Sequence, residues 1–322
     1  MKLARLVMAA VGIAAAFTPV QALAWPDKPV RIISAYAAGG SSDVVLRSAA
    51  EKMSQILGQQ VIVENKPGAG SRLATEYVAG LEPDGYTLLM TGGSALAMAP
   101  HLYEAMPYEV TDLQPVSLLY RIPLAIYYNH KTVPATNVEE FVAYAKANPG
   151  LLEYGSTGRG NAGHLIGEMF EAAAGIDMVD VHYKGSGEIV QDILAGQLPV
   201  MTEALVGHME QVRAGNYSIL GVTSEERLPF AAEVPTFAES GYPELTIESW
   251  LALFVPAGTP KDRVDILNAA LKEALDDEVL RQRLTDQGAI LSWSTPEELA
   301  ERVERDSTMF GKVIRDIGLK LE

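Results

Sequence analysis

The chain has 322 residues, with 25 lysines and arginines against 41 acids, a net charge of −16, five histidines and no cysteine. So acidic a balance argues against nucleic acid or an anionic membrane as a partner, and the missing cysteines exclude a disulfide framework or a lipid-modified N-terminus. An anionic small molecule stays allowed, because backbone amides and helix N-termini make a site locally positive.

In chain order, Lys2 and Arg5 precede an apolar run from Leu6 to Val20 and the small-residue site Ala22-Leu23-Ala24. This is the pattern of a secretory signal peptide cut after Ala24, and it predicts export to the periplasm. No later run is long enough to span a bilayer. Residues 25–322 then suffice for two domains of ordinary size.

Val30 to Ser34 reads as a strand, Asp43 to Leu57 as an amphipathic helix and Val61 to Glu64 as the next strand. Arg72 to Ala79 reads as a helix and Tyr86 to Met90 as a strand. This βαβαβ rhythm predicts a mainly parallel sheet covered by helices on both faces. The rhythm restarts with a strand at Ala125 to Tyr128 and a helix opened by a capping box at Thr136 and Glu139. Beyond it, Met178 to His182, Leu198 to Met201 and Ile219 to Val222 read as strands, and Glu188 to Leu194 as a helix. In the helical tail, Thr259-Pro260 and Thr295-Pro296 each place a capping residue before a first-turn proline.

Four Gly/Ser/Thr-rich segments fall where strands give way to helices: Ala37 to Asp43, Thr91 to Ser94, Gly155 to Asn161 and Lys184 to Gly187. Ligands of open α/β sheets sit at such strand ends, against exposed N–H donors. In YGSTGRGNAGHLIGEMF, Gly158, Gly160 and Gly163 spell the dinucleotide fingerprint, with Asp180 twenty residues beyond Gly160. That acid falls inside a strand instead of at its end, however, and export removes the chain from the nicotinamide pool.

Gly92-Gly93-Ser94-Ala95-Leu96 approaches the nucleophile elbow of a serine hydrolase, but leucine replaces the final glycine. An exported hydrolase of esters or amides, with Ser94 or Ser186 served by His164 or His182, is the alternative reading. The histidines form no recognised metal pattern. His164 is either a brace for the glycine loop or a donor to a ligand. Asp43, at a helix start, reads mainly as a cap that could also receive an amine. Trp250 is core or a wall of a cleft.

Quoted together, these segments resemble a known family, the extracytoplasmic solute receptors of the tripartite tricarboxylate transporter system, or Bug receptors. The matching stretches include Trp25-Pro26, Gly39-Gly40 with Asp43, Val63 to Gly70, Pro83 to Leu88, Tyr154 to Gly160, Tyr183-Lys184-Gly185 and Pro256 to Pro260. The resemblance implies an α/β fold of the two-lobed type II periplasmic binding class, a Venus flytrap whose lobes each have a mainly parallel sheet flanked by helices. Lobe 1 would comprise residues 25–122 and 247–322, and lobe 2 residues 123–246. It implies a receptor without catalytic residue, metal or cofactor, binding a small carboxylate for two membrane subunits of a secondary transporter, and we expect a monomer. The binding positions expected are Tyr36, Ala38, Gly39, Gly40, Ser41, Ser42, Asp43, Gly93, Ser94, Ser156, Thr157, Gly158, Asn161, His164, Lys184, Gly185, Ser186 and Glu203. Ala37-Ala38, Asn161, Glu188 and Thr202-Glu203 depart from the family's usual residues, so the ligand is expected to differ from a simple di- or tricarboxylate. Glu203 either favours an amino-bearing ligand or makes an ion pair outside the cleft.

Overall fold

The computed structural model describes residues 25–205, 207–286 and 290–321; the signal-peptide reading of residues 1–24 lies outside them. The first half runs β1 (Val30–Ser34), α1 (Ser41–Leu57), β2 (Val61–Asn65), α2 (Arg72–Ala79) and β3 (Thr87–Gly92). A π-helical turn, Ser94–Met98, continues into α3 (Ala99–Leu102), and the long strand β4 (Leu113–Tyr128) follows. Then come α4 (Val138–Ala147), β5 (Leu152–Ser156), α5 (Ala162–Ala174), β6 (Met178–His182), α6 (Ser186–Ala195), β7 (Val200–Ala204), α7 (Met209–Arg213) and β8 (Ser218–Val222). The chain ends with β9 (Glu248–Pro256), α8 (Lys261–Asp276), α9 (Glu278–Asp286), β10 (Ile290–Leu291) and α10 (Pro296–Asp316). No helix of the described residues is long and apolar enough to cross a membrane.

The strands follow one path, β2-β1-β3-β9-β4-β7-β5-β6, with β8 and β10 also paired to β4. β2, β1 and β3 are mutually parallel, as are β7, β5 and β6, which is the parallel rhythm expected from the sequence. Between these trios β9 and β4 run antiparallel to their neighbours. β4 changes partner midway: Leu113 to Pro123 pair with β9, and Leu124 to Tyr128 pair with β7. Its register against β9 shifts between Pro115 and Ser117, where proline has no N–H to give the ladder.

Each half of the sheet is covered on both faces. Around β1 and β9, Leu46, Met53, Leu253, Leu267 and Leu271 pack on one side, and Ile33, Ala74, Leu89, Trp250, Phe254 and Leu299 on the other. In the second half Ile126, Phe141, Tyr154 and Phe170 share one core, while Tyr127, Ile189, Leu198 and Tyr217 share another. Ile126 and Tyr127 fall in opposite cores because successive strand residues point to opposite faces. Each such buried aliphatic or aromatic side chain stabilises the fold by about 1.5–3 kcal/mol relative to its exposed state.

Two helix starts depart from expectation. Asn137, not Thr136, caps α4 by accepting from the Glu140 N–H at 2.9 Å, and Glu140 reaches back to the Thr136 N–H and hydroxyl, both at 2.8 Å. The box is shifted by one residue, towards the stronger capping side chain. Thr259 does not cap α8: its hydroxyl donates to the Pro256 carbonyl at 2.7 Å, and Pro260 takes the capping position. Thr295 does cap α10, in a box with Glu298 behind Pro296.

Candidate ligand-binding cleft

A cavity of about 350 Å³ opens where the two halves of the sheet meet, at the ends of β1, β3, β5 and β7. Its polar wall comprises Tyr36, Ser42, Ser94, Tyr120, Thr157, Asn161, Thr202, Glu203 and Ser249, and its apolar wall includes Met98, Ile122, Leu124, Ala162 and Leu251. Of the expected positions the cavity therefore gathers Tyr36, Ser42, Ser94, Thr157, Asn161 and Glu203, one or more from three of the four loops. Ala38, Gly39, Gly40, Asp43, Gly93, Ser156, Gly158, His164, Lys184, Gly185 and Ser186 lie outside its lining. Tyr120, Ile122 and Leu124 from β4, with Ser249 and Leu251 from β9, escaped the sequence reading. Each set is spaced by two, the period that puts strand residues on one face. A larger cavity of about 650 Å³ lies around Arg121 and Glu248, where a 2.9 Å ion pair already joins the two side chains.

α1 starts at Gly40 with no side-chain cap, so its first N–H groups remain available beside Ser42 in the cavity wall. Asp43 does not cap that helix. One carboxylate oxygen accepts from the Gly39 N–H and Arg47 Nε, each at 2.9 Å, and the other from Asn65 Nδ2 at 2.8 Å. Burial opposes ionisation, but the bonds from Arg47, Gly39 and Asn65 outweigh it and hold the carboxyl down to about 2. Both oxygens thus brace the loop and neither is turned to the cavity's contents. Behind them, burial pushes the Tyr36 phenol up, against hydrogen bonds with Ser71 and Ser94. Burial and the neighbouring Tyr36 likewise push Tyr120 up, against a hydrogen bond with Ser42. Both phenols stay protonated and able to donate.

The glycine motif keeps its mechanics. Gly158 and Gly160 have φ of +96° and +78°, conformations that side-chain-bearing residues rarely adopt. Gly163 lets α5 press on β7: a Cβ there would stand 2.6 Å from the Thr202 carbonyl oxygen. Asn161 caps α5, its Oδ1 accepting from the His164 N–H at 2.8 Å, while its Nδ2 donates to the Thr157 hydroxyl at 2.8 Å. Asp180 lies mid-strand on β6, paired at 2.8 Å with His182, so it is not placed to receive a ribose.

His164 is a brace under this loop, 3 % exposed. Its Nδ1 accepts from the Gly160 N–H at 3.2 Å, so the neutral ring carries its proton on Nε2. That nitrogen faces Asp180 and Glu168, each at 3.6 Å. The fold thus gathers His164, Asp180 and His182 within metal-ligand range of one another, a clustering that the spacing of the histidines did not suggest. A proton-bearing Nε2 is a donor, however, and not a metal ligand.

Burial, then the nearby His182, lowers His164 to about 4, against the pull of Asp180. Burial lowers His208 to about 4 as well. A histidine held below its ordinary value, about 6.5, stabilises the fold above that value, and the contribution is lost as pH falls towards the folded value. Glu171, raised chiefly by burial to about 7, works in the opposite sense: it is most stabilising below about 4.3 and loses that contribution as pH rises through 7. Against this background His164→Gln is expected to flatten the fall in melting temperature between pH 6.5 and 4. The native chain would lose up to about 3 kcal/mol more than the variant over that window. Parallel melting curves across it would refute the assignment.

The hydrolase alternative finds no support in the cavity. Ser94 bonds to Tyr36, Ser186 donates to Glu203 Oε2 at 2.9 Å, and no histidine lies in the wall among the described residues. Trp250 is core, 1 % exposed, with its Nε1 donating to Asp306 at 2.7 Å.

The comparison with known proteins matches this architecture. The model of the tripartite tricarboxylate transporter family receptor matches residues 45–319. The chain belongs to this receptor family. The receptor is 34 % identical to protein BugT of Bordetella pertussis over 317 residues, 98 % of this chain and 96 % of that one. It is 30 % identical to a solved Rhodopseudomonas palustris protein with adipate, covering 92 % of this chain and 99 % of the other at a TM-score of 0.78. It is also 30 % identical to MatC of Rhodopseudomonas palustris with bound malate, covering 90 % and 100 % at a TM-score of 0.73. The fold is accordingly that of the two-lobed periplasmic binding proteins, and the receptor is a solute-binding protein, not an enzyme.

Proposed function

We propose that the receptor works in the periplasm, as a monomer, and captures a small carboxylate between two lobes, residues 25–122 with 247–322 and residues 123–246. The observation that carries this reading is the makeup of the cavity. Hydroxyls and the unfilled N-terminus of α1 converge on it, while no lysine or arginine lines it among the described residues. Amide and hydroxyl donors at helix starts hold anions without a cationic side chain. The relatives solved with malate and adipate point to the same ligand class. The change of partner midway along β4 suits a strand that crosses between lobes, and closure over the ligand would form the surface read by the transporter's membrane subunits. A micromolar ligand needs about 8 kcal/mol, within reach of several charge-assisted bonds of about 1.5–3 kcal/mol each.

A thermal-shift screen over malate, adipate and related mono-, di- and tricarboxylates tests the reading. At least one is expected to raise the melting temperature and to be recovered unchanged; conversion to product, or no shift from any carboxylate, would overturn it. Gly40→Val is expected to abolish that shift while the protein stays folded. The backbone there is extended at φ −76° and the nearest atom to an added Cβ is 3.8 Å away, so the fold has room for the added bulk, which would crowd the approach to the free N–H groups at the start of α1. Gly158→Val is expected to abolish it too, with a lower starting stability because of the positive φ. A full ligand response in Gly40→Val would remove the α1 N-terminus from the site.

A further inference from the structure

We infer that the ligand carries, besides its carboxylate, a protonated amine that docks on the free oxygen of Glu203; this rests on the carboxylate reading above. Glu203 is 7 % exposed and stands on β7 in the cavity wall. Its Oε2 accepts from the Ser186 hydroxyl at 2.9 Å, whereas Oε1 is buried without a hydrogen-bond partner. Burial pushes this carboxyl up, against the Ser186 and Thr157 hydroxyls and the Ala204 N–H, and no cation is among the groups that act on it. Among the described residues, no lysine, arginine or histidine shares the cavity wall.

A buried carboxylate with an open acceptor and no counter-charge is costly. An ammonium group answers both deficits at once, since it brings three donors and a positive charge. A ligand with carboxylates alone would set like charge against Glu203. The polar groups fall into two sets. Tyr36, Ser42 and Ser94 follow β1 and β3, and Glu203 ends β7, with β9 and β4 between them in the sheet. That order suits a bipolar ligand, its acid end towards α1 and its amine end towards Glu203. A neutral Glu203 would instead donate to a second carboxylate, and this pairing predicts the opposite selectivity.

Calorimetry on matched pairs decides between them: malate against aspartate, and adipate against 2-aminoadipate. The native receptor is expected to bind the amino member at least about tenfold tighter in one pair, the worth of one charge-assisted hydrogen bond. Glu203→Gln, equal in size and uncharged, is expected to erase that preference, and its melting temperature without ligand reports its folding. Equal or weaker binding of the amino members by the native receptor overturns the inference whatever the variant does. So does a Gln variant that keeps the amine preference, or that weakens the plain carboxylates just as much. Binding of malate or adipate without amine preference sinks the ammonium assignment alone, whereas binding of none of the four sinks the carboxylate reading with it.

Discussion

Gly163→Ala is expected to lower the melting temperature by roughly 5 °C and to remove most of the response to a bound carboxylate. The added methyl would lie 2.6 Å from the Thr202 carbonyl oxygen and 3.3 Å from its hydroxyl. A backbone oxygen in a paired strand cannot rotate aside as a long side chain does. α5 must therefore back away from β7, at about 1–3 kcal/mol for an overpacked contact. The first turn of α5 carries Ala162 and Gly163 in the cavity wall, with Asn161 just before it and Thr202 facing it, so the shift would reach the ligand directly. Thermal unfolding with and without the carboxylate that stabilises the native chain measures both effects. A variant with native stability and response would show that α5 does not need this close approach.

Asp306→Ala is expected to cost more, about 3–5 kcal/mol and roughly 10 °C. Asp306 is 2 % exposed. One oxygen accepts from Trp250 Nε1 at 2.7 Å and stands 3.5 Å from Arg302 Nε, and the other accepts from Arg305 at 3.2 Å. Removing it strands the indole N–H in the core and leaves Arg302 with Glu248, at 3.8 Å, as its acidic partner. Burial already lowers Arg302, against the pull of Asp306 and Glu248. Asp306→Asn keeps an acceptor for the indole and is expected to recover part of the loss. If the alanine variant melted within about 2 °C of the native chain, the cluster would be a surface-type pairing of little worth.

The first βαβαβ unit was legible almost residue by residue, because β1, α1, β2, α2 and β3 pair and pack with near neighbours in the chain. The loops were legible for the same local reason, since glycines and small hydroxyls at strand ends announce themselves. β9 was not. Its run Glu248–Pro256 is buried throughout except at Ser249, so it shows no alternation, and its partners β3 and β4 lie more than a hundred residues earlier. Nothing local specifies such a pairing, and the cavity residues on β4 and β9 went unread with it. Asn161, Asp43 and His164 show the converse limit. Their residue types suggested a site, yet Asp43 and His164 spend their polar atoms on the loops that hold it, and Asn161 divides itself between a helix cap and the cavity wall. For the loop Lys184 to Ser186, the link to the cavity runs through Ser186 and its bond to Glu203, a relation no spacing rule contains.

α10 has a consequence for how the molecule can move. Leu299 and Val303 belong to the core around Trp250, whereas Phe310 and Ile314 belong to the core of Tyr154 and Phe170. A helix neither stretches nor shears along its length without breaking its own backbone bonds. Its 21 residues therefore act as a rod embedded in two cores at once. If the two lobes proposed above open and shut, they would tilt about that rod and would not be drawn apart along it. The motion would then be confined to a narrow arc, with the mouth of the cleft free and the spine fixed.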